Sequence, residues 1–171
     1  MSQTHETAIA ANPFSITRML DAPRERVFRA WTEASELMGW FGPQGVTIPA
    51  CNLDLRFGGT FHYCMRMPNG AELWGKWTFQ EIQPPERIVL VSSFSDADGG
   101  ITRHPFVSEW PLETLSTTTL EEAGEQTVLT ITWLPFNAQD NEIARFNAMH
   151  QDMIQGWTGT LNQLTAYLAT A

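Results

Sequence analysis

Residues 139–169 set the firmest constraint on what this chain can fold into. Ile143, Phe146, Met149, Met153, Trp157, Leu161, Leu164 and Leu168 recur at steps of three or four, the spacing that gathers side chains on one face of an α-helix. The stripe is wide and bulky, and it predicts one long amphipathic helix over 139–169. Much of the chain ahead of it alternates with a period of two, as strands do. A single antiparallel sheet has one apolar face to cover, and one long C-terminal helix can cover it.

The alternation predicts a first strand from Pro13 and further strands near 46–57, 60–67, 72–82, 87–94, 112–121 and 127–134. Turn residues separate them: Gly58-Gly59, Pro68-Asn69-Gly70, Pro84-Pro85, Asp98-Gly99-Gly100 and Ala123-Gly124. Connections this short favour an antiparallel meander over a parallel sheet. Between the first two strands, Asp21 followed by Pro23 resembles a helix start, with Asp21 as cap and Pro23 in the first turn, and Val27, Phe28 and Trp31 form an apolar stripe. A second short helix is expected in "EASELMGW", ending at Gly39 or Gly42-Pro43. The expected fold is α+β: two short helices after the first strand, then a curved sheet of about six to seven strands around the long helix. A twisted sheet curling around a helix leaves a space between them. Residues 1–12, "MSQTHETAIAAN", read as a flexible tail before one domain over 13–171.

"DLRFGGTFHYCM" places two glycines between strand-like stretches. Glycine takes positive φ without steric cost, as a tight connection requires. Matching apolar faces sets Phe57 opposite Phe61, Leu55 opposite Tyr63 and Leu53 opposite Met65, across a Gly58-Gly59-Thr60 loop.

A chain of 171 residues with a net charge of −9 disfavours nucleic acid or an anionic membrane surface as partner. No secretory signal and no membrane-length apolar run is present, so a cytoplasmic location without membrane insertion is expected. Cys51 and Cys64 are then expected as free thiols. Seven Trp and ten Phe against two Tyr must be buried or line something.

The usual catalytic, phosphate-binding and metal-binding patterns are missing. His5, His62, His104 and His150 lack close metal-ligand spacing, so neither a metal nor a cofactor is expected. His150 falls on or beside the helical stripe: it is either a polar anchor inside a cavity or a boundary residue bonded to a carbonyl. Arg56 and Asp54 suit a structural ion pair, and Glu81 a strand-end carboxylate. The large side chains suit a pocket as well as a core. The candidate ligand-binding set is Trp40, Phe57, Tyr63, Met65, Trp77, Phe79, Met149, His150, Met153 and Trp157; no catalytic residue is assigned.

"APRERVFRAWTEASELMGWFGPQG", "DLRFGG", "EIQPPERIVLVSSF" and "GWTGTLNQLTAYL" occur in this order. Together they resemble the START-like (SRPBCC) superfamily, in the branch similar to the activator of the ninety-kilodalton heat-shock protein's ATPase, from about Pro13 to Leu168. The resemblance implies a helix-grip fold around an apolar cavity. Hydrophobic-ligand carriers, aromatic polyketide cyclases and chaperone activators share that fold, which does not choose among them. The expected function is binding of a small hydrophobic or aromatic molecule. The alternatives are a cyclase-like enzyme, with His150 or Glu81 moving a proton, and a chaperone-linked interaction module. A chaperone, or a second copy of the chain, is the further candidate partner.

Overall fold

The computed structural model describes residues 9–170. Most of the expected tail, residues 1–8, lies outside the described residues. Within its remainder, the Asn147 side chain donates to the Ala10 carbonyl at 3.1 Å and accepts from the Asn12 amide at 2.8 Å.

In chain order the elements are β1 (Phe14–Leu20), α1 (Arg24–Thr32), α2 (Ala34–Trp40), β2 (Thr47–Leu53), β3 (Thr60–Arg66), β4 (Glu72–Gln83), β5 (Arg87–Ser95), β6 (Ile101–Thr102), β7 (Glu113–Ala123), β8 (Gln126–Phe136), α3 (Asp140–Ala148) and α4 (His150–Thr170). The strands form one sheet in the order β1-β8-β7-β5-β4-β3-β2, with the two-residue β6 added beside β5. Every pairing is antiparallel. The sheet grips α4: Leu161, Leu164 and Leu168 share one buried cluster with Leu20, Phe79, Leu90, Leu120, Leu129 and Ile131. Burial of each such side chain contributes about 1.5–3 kcal/mol, so this end of the interior anchors the helix.

Three expectations need correction. The long helix is two: α3 ends at Ala148, and Met149, with φ −108 and ψ 18, separates it from α4. The apolar spacing runs through this joint because Phe146, Met149 and Met153 keep their three- and four-residue steps, so periodicity conceals it. A reciprocal Gln139–Glu142 capping box starts α3. At α1, Pro23 itself occupies the cap position, outside the helix and without a side-chain cap bond, so Asp21 is not the cap. The third correction concerns the glycine pair.

Strand β2 stops at Leu53, which faces Phe61, while Cys51 faces Tyr63. Residues 54–59 therefore form a longer loop, with Phe57 76% exposed, and the three-residue connection does not occur. Backbone bonding outweighs apolar matching here. The Gly58 amide donates to the Phe79 carbonyl at 2.8 Å, and the Phe79 amide donates to the Gly59 carbonyl at 2.9 Å. The glycines thus extend β3's pairing with β4 by two residues. Gly58 does have positive φ, at +75, whereas a Cβ on Gly59 would overlap the Asp54 carbonyl oxygen. Arg56 and Asp54 do pair, at 2.7 Å, in this exposed loop. The thiols lie on opposite faces of the sheet, as the alternation requires in either register. Cys51 shares a face with Tyr63, Cys64 points to the other face, and both are free.

Gly58→Ala is expected to lower stability by about 1–2 kcal/mol, the penalty for an L-residue in the left-handed region. Gly59→Ala should be more damaging, because the obstructing atom is backbone. Urea denaturation of the two variants checks this order, and equal stabilities would refute it.

Candidate functional site

Between α4 and the sheet, at the end away from Leu164 and Leu168, lies a cavity of about 480 Å³. Met149, Met153, Gly156, Trp157 and Thr160 form its helical wall. The sheet contributes Tyr63 and Met65 from β3, Trp74, Gly75 and Trp77 from β4, Leu90, Ser92 and Phe94 from β5, Thr114 and Ser116 from β7, and Trp133 from β8. Trp31 of α1 and Phe41, just after α2, complete the wall.

Cross-strand pairing explains why the interior opens here. Across the inner face, Trp77 stands opposite Ser92, and Ser92 opposite Thr114. In the neighbouring row Phe79 faces Leu90, Leu90 faces Ser116, and Ser116 faces Trp133. Further along, Leu120 faces Leu129 and aliphatic side chains fill the sheet-to-helix distance. Where Ser92, Thr114 and Ser116 occupy the inward positions, their short side chains cannot reach α4. The helix is small at the same level: a Cβ on Gly156 would meet nothing within 4 Å. Gly75 has a different role, because a Cβ there would overlap the Tyr63 ring, which lies across it.

The floor is made of indoles. Trp31 stacks between Trp77 and Trp157, each with centroids 6.1 Å away. Trp133 meets Trp157 edge-on at 5.6 Å, and its Nε1–H donates to the Ser116 hydroxyl at 3.0 Å. Burial pushes the Tyr63 hydroxyl far above its ordinary pKa, so it stays a neutral phenol.

Of the residues picked out from sequence, Tyr63, Met65, Trp77, Met149, Met153 and Trp157 are in the wall. Trp40, Phe57, Phe79 and His150 are not. Trp40 packs behind Trp31 at 4.9 Å and donates its Nε1–H to the Ala30 carbonyl. Phe79, fully buried, belongs to the filled end, and Phe57 lies on the surface loop. His150 bonds through Nε2 to the Asn12 carbonyl at 3.0 Å, with its ring against Phe14 and Phe146. It is the boundary histidine. Glu81 pairs with Arg87 at 3.2 Å, also outside the cavity.

Sequence reasoning missed Trp31, Trp74, Phe94, His104, Trp133 and Asp152, all in the lining, and the small residues that create the space. The alternation of β5 and β7 carried a usable signal. Ser92 and Ser116 have the same strand parity as Leu90 and Leu120, so serine at those positions marks a thin inner face.

A strap covers one side. Residues 96–112 leave β5, form β6 and return to β7, bringing His104, Trp110 and Leu112 to the lining. The strap is fastened at Glu142 on α3, whose carboxylate receives Arg103, the Leu112 amide at 3.3 Å and the Gln139 amide at 3.0 Å. Trp110 packs on Phe146 at 5.6 Å beside this fastening. Burial alone would raise the Glu142 pKa, but these donors together hold it below the ordinary carboxylate range. Among the described residues, no three His, Cys, Asp or Glu side chains gather as metal ligands. No helix there is long and apolar enough to cross a membrane.

A curved antiparallel sheet gripping a C-terminal helix around an apolar cavity is the START-like, helix-grip class. Over residues 21–169 the chain matches the family described as activator of Hsp90 ATPase homolog 1-like protein, and it belongs to that family. A protein from Arthrobacter aurescens, solved by NMR, is 26% identical and superimposes with a TM-score of 0.75 over 96% of this chain and 94% of its own. A Mycobacterium smegmatis crystal structure is 23% identical, with a TM-score of 0.72 over 91% of this chain and 90% of its own. The AHSA1 protein from Silicibacter pomeroyi is 20% identical, with a TM-score of 0.71 over 93% and 99%. These likenesses establish the fold. No curated protein matches the chain.

The fastening of the strap carries a pH signature. Because the folded-state pKa of Glu142 is depressed, its stabilisation is complete above the ordinary carboxylate pKa and disappears as pH falls through the folded value. Glu142→Gln should therefore lower stability at pH 7 by about 2 kcal/mol, the scale of a hydrogen bond to a charged group. The loss should shrink toward pH 3. Thermal melts of both proteins from pH 3 to 7 test this, and a pH-independent difference would contradict it.

Proposed function

We propose that the protein binds a small hydrophobic or aromatic molecule in the cavity between α4 and the sheet. The supporting observation is a space of about 480 Å³ walled by indole, phenyl and thioether groups, within the 300–1,000 Å³ range of small-molecule sites. Flat rings offer apolar area with little rotamer freedom to lose, whereas Met149 and Met153 can re-pack around different shapes. Binding hydrophobic molecules is common among proteins of this superfamily, and the present cavity fits that pattern. The cyclase-like alternative depended on His150 or Glu81 reaching the bound molecule. With His150 bonded to Asn12 and Glu81 to Arg87, it has lost both of its proton-transfer groups.

The test uses a neutral apolar fluorophore, N-phenyl-1-naphthylamine. Wild type is expected to bind it with enhanced emission. Met153→Trp, which adds volume from the helical wall, should weaken binding at least tenfold while staying folded. Overpacking a dense core costs about 1–3 kcal/mol, and the penalty should be smaller where space exists. If wild type binds no probe and Met153→Trp collapses the fold, the interior is solid, and the interaction-module reading takes its place.

A further inference from the structure

We infer that the molecule held in this cavity is uncharged and carries an acceptor oxygen on its apolar frame, and that His104 is the donor that reads it. This rests on the ligand-binding reading above and narrows it to a chemical class.

The argument begins at His104. Its Nδ1 accepts two backbone hydrogen bonds, from the Phe106 amide at 3.0 Å and the Val107 amide at 3.1 Å. A nitrogen facing two N–H groups cannot itself carry a proton, so the proton of the neutral ring lies on Nε2. Protonating Nδ1 would set three hydrogens against one another, and burial acts in the same direction by pushing the imidazole pKa down. His104 is thus locked as a neutral ring with one N–H to give. Among the described residues no protein acceptor takes it, and His104 lies in the cavity lining. Phe94, at 4.7 Å, and Trp110, at 6.3 Å, hold the ring in place.

Trp31 is not a second donor. Its ring lines the same cavity, but its Nε1–H is buried out of reach of even a water molecule. The other indoles donate within the protein, Trp40 to a carbonyl and Trp133 to a hydroxyl. A well-made hydrogen bond contributes about 1 kcal/mol, so a ligand oxygen at the His104 Nε2–H is favoured. The locked His104 only donates, so its match is an oxygen that accepts, and a group that can only donate is excluded.

Charge narrows the class further. Among the described residues no Lys or Arg lines the cavity, and Asp152 is its only acidic side chain. An anion would enter without a counter-charge and beside a carboxylate, while His104 is held neutral. A cation could approach Asp152 and the indole faces, but Asp152 is on the exposed side, and inside the cation would meet the N–H of His104. A neutral acceptor such as a ketone, quinone or ester satisfies the donor without these penalties.

Four probes of one shape decide the matter: fluorene, 9-fluorenone, fluorene-9-carboxylate and 9-aminofluorene, titrated by tryptophan fluorescence at pH 7. The ketone should bind about tenfold tighter than the hydrocarbon, the scale of one well-made hydrogen bond, with the anion weakest. In His104→Phe the ratio of ketone to hydrocarbon affinity should fall toward one. Retained fluorene binding shows that a variant's cavity is intact. If His104→Phe does not fold, the wild-type series still decides. Equal affinity for ketone and hydrocarbon, or tightest binding of the acid or the amine, overturns this inference and leaves the cavity reading standing. Binding of none of the four overturns both.

Discussion

The structure depends on how far the inner face of the sheet reaches toward α4. Sheet and helix meet at a separation set by the filled end, where Leu161 and Leu164 rest on Leu90, Leu120, Leu129 and neighbouring side chains with no exposure of the leucines. A helix is stiff over its own length, so it cannot sink where the sheet's side chains become short. At Ser92, Thr114 and Ser116 they do become short, and Gly156 leaves the helix short as well. Interiors pack densely wherever the parts can close up. Here the rest of the grip holds them apart.

That opening would face solvent without the strap, whose course follows from one carboxylate. Glu142 caps α3 through the Gln139 amide and holds Arg103 and Leu112 through its other oxygen. One buried residue therefore sets the start of α3, the return of the strap into β7 and the position of Trp110. The same strap carries His104, so the polar group best placed to meet a bound molecule is positioned by contacts made outside the cavity. Chemistry and closure share a support.

The fold was legible because its evidence is periodic. Alternation located the strands to within a few residues, apart from the overlong β2, and the stripe from Ile143 to Leu168 identified the gripping helix. What escaped was non-periodic. The Met149 joint lies inside an unbroken apolar stripe. The two-residue β6 is too short to alternate, and the loop at 54–59 is decided by backbone bonds from Gly58 and Gly59 to Phe79. The candidate site was harder to read for a related reason. Large residues attracted the choice, so Tyr63, Trp77, Met153 and Trp157 were found while Trp40 and Phe79, equally large, proved to be core. Which large residue borders a space is decided by the small residues opposite it. His104 could not be distinguished from sequence, because its importance lies in which of its ring nitrogens the strap's backbone occupies.

The central claim is that short inward side chains, at a spacing fixed elsewhere, create a binding cavity. Ser92→Leu tests it most directly, since Ser92 is in the wall between Trp77 and Thr114. Thermal stability and N-phenyl-1-naphthylamine affinity are measured on the same sample. If the space is real and accessible, added apolar burial should raise stability by about 1–2 kcal/mol while probe binding is lost. A Ser92→Leu protein that is less stable and still binds the probe would contradict the account.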